Sequence, residues 1–180
     1  MEKVLFLMSH LGSGSDKFYQ ILKAHPKIDD PGINIVYENY EDIEYLRNKP
    51  HKVNNVSAIY MQHILYNHQF VSKKLCRLCN FVFYLGNPRS TISRIIQMGY
   101  SESNALNYYN FRLYGLYVYY IRSYGNNLIF SSNWSELSKF LDIDTLSGYM
   151  EDEKEPDNVS MDTLLKAEDV YFKYIIKFNR

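Results

Sequence analysis

Cysteine is nearly absent from this chain: the 180 residues hold two, Cys76 and Cys79, both in a single Cys-Arg-Leu-Cys unit. One pair cannot build a disulfide framework, and a four-ligand zinc site would need a second ligand pair that the sequence does not offer at suitable spacing. A redox pair of this kind ordinarily follows a strand and opens a helix. Here it closes an expected helix and precedes the apolar run Asn80–Gly86, so both cysteines are read as structural thiols. Net charge is missing as well. Lys plus Arg and Asp plus Glu balance at 20 each, which leaves no overall positive field for nucleic acid and confines any anion site to a local arrangement. No stretch reaches 18 uninterrupted apolar residues, and the apolar run after Met1 is too short for a signal peptide. A cytoplasmic protein with no membrane span is therefore expected. No internal repeat and no metal-ligand constellation is visible, so no metal is expected.

What is present fits one globular domain over residues 1–180, with 46% hydrophobic and 22% charged residues. Tyrosine stands out at 18 residues. It reflects either a compositional bias shared with Asn, Ile and Lys or a wet aromatic interaction surface.

Val4–Met8 reads as a buried strand, Ser9–Ser15 as a turn and Asp16–Ala24 as a helix ending before Pro26. The segment His25–Gly32 reads as a loop, and Ile33–Tyr37 as a second strand. Helices are expected over Glu41–Arg47 and Ala58–Lys74. Asn80–Leu85 is the clearest strand, short and almost wholly apolar. A helix over Arg89–Met98 follows, then a long one capped by Ser101 or Ser103 and reaching Ser123, which its Leu and Tyr content marks as largely buried. Leu128–Phe130 reads as a third strand. Asn133 with Glu136 has the capping-box spacing, residues 150–160 read as an exposed or mobile loop, and Met161–Phe178 as a closing amphipathic helix. Strands separated by helices predict an α/β fold, three layers with a small central parallel sheet between helices.

In such sheets ligands bind beyond the carboxyl ends of the strands. The loops after Met8 and Leu85 should therefore open on one edge. In the first, Gly12 and Gly14 can take positive φ, Ser13 and Ser15 carry hydroxyls, and the helix that follows points its positive end at the same place. The Walker pattern fails, because Gly12 to Lys17 lacks the Gly-Lys-Ser/Thr ending, and the dinucleotide fingerprint fails too. In the second loop Pro88 fixes the turn, and Arg89, Ser90, Thr91, Ser93 and Arg94 crowd the start of a helix, the groups that hold phosphate esters.

The segment Leu5–Ile28, with Ser13-Gly14-Ser15 and then His25-Pro26, resembles the amino-terminal signature of sulfotransferases that use 3′-phosphoadenosine 5′-phosphosulfate (PAPS). Phe81–Ile96 resembles the second signature of that family, Asn126–Ile143 its later strand and helix, and Ala167–Phe178 its closing helix. The resemblance is ordered along nearly the whole chain. It implies a sulfotransferase/P-loop-like fold, PAPS as co-substrate, and a small-molecule or carbohydrate hydroxyl as acceptor. Gly12, Ser13, Gly14, Ser15, Asp16, Arg89, Ser93 and Arg94 would then hold the nucleotide. Two departures are specific. The family's basic loop residue falls at Gly12, and the arginine that opens its second signature falls at Gly86. Lys17 is the nearest replacement for the first, and Arg89 or Arg94 for the second. Glu38 and His10 are candidate general bases for the acceptor proton, with His63 and His68 behind them. Two alternatives stand beside this reading: a catalytically degenerate binding protein of the same fold, and a divergent kinase or phosphate-ester enzyme.

Overall fold

The computed structural model describes residues 3–30, 52–53, 56–57, 59–64, 79–123, 125–148 and 159–178. Its centre is a parallel sheet of β1 (Lys3–Met8), β2 (Ile28–Asp29), β5 (Ile59–Ile64), β6 (Asn80–Phe83) and β7 (Asn127–Ile129). The spatial order is β2-β5-β1-β6-β7, and every pairing in it is parallel. Two short strands, β3 (Lys52–Val53) and β4 (Val56–Ser57), form a separate antiparallel pair.

β1 is central because it is apolar on both faces. Val4, Phe6 and Met8 point into one core and Leu5 and Leu7 into the other, all within 1% of full burial. β6 repeats the division, with Phe81 and Phe83 on the first side and Val82 on the second. The first core is covered by α2 (Pro88–Gln97), α3 (Glu102–Arg122) and α5 (Met161–Phe178); the second by α1 (Ser15–Lys23) and α4 (Trp134–Leu141). The α/β architecture expected from the alternation is therefore present, with helices on both faces of the sheet.

The helix starts follow local chemistry. Asn87 accepts hydrogen bonds from the Arg89 and Ser90 amides and Pro88 occupies the first turn; Ser101 accepts from Asn104 N, and Asn133 from Glu136 N. Glu102, half-buried at the start of α3, accepts from the Ser160 amide and hydroxyl and from the Thr163 hydroxyl, so it ties α3 to the first turn of α5. Those bonds hold its carboxyl down at about 2.

Three expectations fail. Residues 59–64 were predicted as part of a helix over Ala58–Lys74, yet they form β5, the neighbour of β1. Ile59 and Met61 are buried at the two-residue spacing of a strand, and the open hydrogen-bonding edge of β1 fixes the outcome over a short apolar run of ambiguous period. Ile28–Asp29, expected in a loop, pairs with β5 as an edge strand. The long helix α3 is also less enclosed than its composition predicts: Ala105, Tyr109, Leu113, Leu116 and Tyr119 are buried, whereas Phe111, Tyr114 and Ile121 are exposed. Cys79 is a buried thiol beside β6. The strand expected over Ile33–Tyr37, the helix over Glu41–Arg47, the loop at 150–158 and Cys76 lie outside the described residues. Among the described residues no helix is long and apolar enough to cross a membrane.

Tyr109 is fully buried and its hydroxyl has no hydrogen-bond partner among the described residues. A buried, unmet hydroxyl opposes folding, so Tyr109→Phe should leave stability unchanged or raise it by up to about 1 kcal/mol. The denaturation midpoint in urea measures this, and a clear loss would mean that the hydroxyl has a partner after all.

Candidate functional site

The strand order creates one place where consecutive connections part. From β1 the chain runs to β2 and β5 on one side, then crosses to β6 on the other, so the loops after β1 and β6 leave neighbouring strands toward opposite faces. This is the switch point at which open α/β sheets bind ligands. The shared edge expected for "SHLGSGSDK" and "GNPRSTISR" is real.

The two loops touch closely. Gly86, at φ +70°, lies so near Ser13 that a Cβ there would sit 2.5 Å from the Ser13 carbonyl oxygen. Gly12, at φ +81°, faces α2, and its Cβ would sit 2.9 Å from both Thr91 O and Ile95 Cγ1. Both positions thus require glycine for conformation and for space. The cations expected there by resemblance have a physical reason to be absent. A side chain at Gly12 would disturb the loop, and Gly12→Arg is not a route to tighter anion binding.

Further contacts brace the loop after β1. The His10 ring is 1% exposed, with Nε2 2.8 Å from Leu85 O and Nδ1 3.1 Å from Leu11 O. A neutral imidazole carries one N–H and donates to one of these carbonyls only. Burial pushes His10 down to about 4, with the Arg112 charge acting in the same direction and the two carbonyls opposing. Tyr109 meets the ring edge-on at 5.4 Å between centroids. His10 is therefore a strut between the loops, enclosed where it stands, whereas a general base needs access to an acceptor.

The hydroxyls expected to face a ligand are turned inward. Ser13 and Ser15 are buried; Ser15 Oγ donates to Ser9 Oγ at 2.9 Å, and Ser13 Oγ accepts a long bond, 3.4 Å, from Ser15 N. What the loop can offer an anion is backbone. α1 begins at Ser15, with Gly14 as its N-cap in the left-handed conformation; a glycine brings no capping side chain, and the Ser15 amide reaches the Ser13 hydroxyl only at long range. Asp16 and Lys17 are both exposed in that first turn. The Asp16 carboxylate suits the positive end of the helix but repels an anion, so only its amide could assist one. Lys17 is at the right end of the helix, on a flexible stem.

On α2, Arg94 donates from Nη1 to Gly12 O at 3.1 Å, and Arg89 pairs with Glu168 of α5 at 2.6 Å. Ser93 is buried and accepts from Gln97 Nε2 at 3.5 Å. Of the candidate bases, Glu38 and His68 lie outside the described residues. His63 belongs to β5, in register with Leu7 one residue before the end of β1, so its backbone reaches the same sheet edge. A polar cavity of about 420 Å³ lies elsewhere, lined by Ser135, Ser138, Lys139, Asp142, Ile143 and Thr145, and includes none of these residues.

The residue that the sequence analysis missed is Arg112. It lies on the buried face of α3, 3% exposed, and donates from Nη2 to Ser9 O at 3.2 Å. The signal was available: Ala105, Tyr109 and Leu116 mark a helical stripe, and Arg112 falls on it. Among the described residues no cluster of metal-ligating side chains occurs.

Gly86→Ala should destabilise the fold by more than about 2 kcal/mol, since the added carbon meets backbone and the φ is unfavourable; an unchanged melting temperature would refute the close loop contact. Because His10 is depressed on folding, the unfolded chain binds the extra proton between about pH 6.5 and 4. Stability should be full above that window and fall by about 3 kcal/mol as pH drops through it. His10→Gln should flatten that slope in melting curves taken across the window.

No family model matches the chain and no curated protein matches it, so the loop geometry stands alone as the guide to function.

Proposed function

We propose that the crevice between the two loops binds a nucleotide carrying phosphate or sulfate esters, and that the chain is a small sulfotransferase. It would move a sulfuryl group from PAPS to a hydroxyl acceptor, a carbohydrate among the candidates. The observation that carries this reading is the meeting of the Gly12–Gly14 and Gly86 loops at the switch point, beside a helix start whose N-cap is a glycine.

In the reaction the acceptor oxygen attacks sulfur in line and the bond from sulfur to the 5′-phosphate oxygen breaks. The electron pair stays on adenosine 3′,5′-bisphosphate, and the acceptor proton passes to a base. The amides of the first turn of α1 face the developing charge, and Lys17 curls over it from the exposed side. Arg89, in the first turn of α2, and Arg94, in its last, serve a second phosphate. Glu38 and His63 remain the candidates for the base. His10 acts by holding the loops together.

One observation favours the binding-protein alternative. Arg89 is engaged by Glu168 and Arg94 by a loop carbonyl, so either arginine must trade an internal contact for a ligand phosphate.

Calorimetric titration with adenosine 3′,5′-bisphosphate, combined with an acceptor-dependent assay of PAPS turnover, separates the readings. Binding with turnover is expected. Binding alone favours the non-catalytic protein, and no binding rejects both. Lys17→Ala should lower turnover by about a hundredfold or more, a far larger effect than any on the melting temperature; an unaltered rate would remove Lys17 from the mechanism.

A further inference from the structure

The loop after β1 is held from beneath by an arginine that belongs to neither loop. Arg112 stands midway along α3, almost wholly buried, and its guanidinium meets the carbonyl of Ser9, the residue that opens the loop. Burying a guanidinium is costly, and a neutral donor such as glutamine could serve a carbonyl with less loss of hydration. The charge itself is therefore the informative feature. It is felt across the loop base, since it helps to hold the adjacent His10 neutral.

Its setting matters. Gly12, where a loop cation would stand, admits no side chain, because φ +81° and the contacts with Thr91 and Ile95 exclude one. Arg94 reaches the Gly12 carbonyl but is only partly buried, so solvent screens its charge. Arg112 lies in the low-dielectric layer between α3 and the loop, where a fixed charge acts most strongly on an anion nearby. We infer that Arg112 is a positioning residue of the anion site, supplying from beneath the loop the positive charge that Gly12 cannot carry. This rests on the reading of the crevice as a phosphate site.

The test compares the full chain with Arg112→Gln, which keeps a donor for Ser9 but loses the charge, and with Arg112→Lys, which keeps the charge but loses the fork. The probes are inorganic pyrophosphate and adenosine 3′,5′-bisphosphate, titrated by calorimetry at mildly acidic pH so that a buried lysine stays charged. Arg112→Gln should weaken binding by about tenfold or more, and the gap should persist at high salt, because a buried charge is poorly screened. Arg112→Lys should stay within about threefold of the parent. Parent-like binding by Arg112→Gln overturns the inference. So does equal loss in both variants, which would mean that the fork merely shapes the loop. Should neither variant fold, the unaltered chain still decides. The Arg112 Nε–H resonance should shift saturably with pyrophosphate, and an unmoved resonance at saturation overturns the inference. Failure of the unaltered chain to bind either probe rejects the nucleotide reading beneath it, and is distinct from binding that ignores position 112.

Discussion

Backbone-to-backbone contact between Gly86 and Ser13 is the constraint on which the arrangement of the two loops depends. β1 and β6 are hydrogen-bonded neighbours, so the loops that leave their carboxyl ends start about 5 Å apart. They must either splay or press together. Here they press together, with the Ser13 backbone filling the space that a side chain at Gly86 would need and the His10 ring spanning to Leu85 O. The same closeness forces Gly12 against α2. A loop built this way cannot carry cations at those two positions, whatever it binds.

Cationic side chains approach the first loop from other elements. Arg94 approaches the first loop from α2 and Arg112 from α3, each through a carbonyl oxygen, while Arg89 turns to Glu168 and Lys17 stays exposed at the start of α1. A chain with no net charge thus gathers positive charge around a single loop. The seryl hydroxyls, by contrast, serve the loop itself. Ser9 and Ser15 are bonded to one another in the interior, so a ligand would meet amides and cationic tips in place of hydroxyls.

The layer behind the loop is aromatic as well as basic. Tyr109 abuts His10, and farther along the helices Tyr117 and Tyr120 meet Phe178 edge-on, closing the core above Phe83. Much of the tyrosine excess in α3 and α5 therefore packs the first core, in keeping with rings that have an apolar body and a polar tip. Enclosing Arg112 and His10 in such a layer raises the cost of burying polar groups, and it equally raises what each buried charge does to its surroundings.

Local patterns made several elements legible in advance. The apolar runs at Val4–Met8 and Asn80–Leu85, the Asn-Pro-Arg start of α2, a serine cap at Ser101 or Ser103, the Asn133 cap and the periodicity of α5 are read from neighbours within one turn or one strand. The placement of both loops on one edge followed from strand–helix alternation alone. Other features were decided by distant contacts. Ile59–Ile64 became a strand because β1 offered it an edge, and Ile28–Asp29 joined the sheet only through β5. Gly12 and Gly86 looked like lost cations in the sequence, whereas tertiary contact shows them to be positions where no side chain fits. His10 and the serines looked available until burial placed them inside. Arg112 lies 103 residues from the carbonyl it binds, and no local pattern carries that pairing. The sequence by itself determined which segments are apolar, where helices begin and that two loops share an edge. Tertiary structure decided which side chains of those loops are enclosed and which stay exposed, because that depends on how closely two backbones approach.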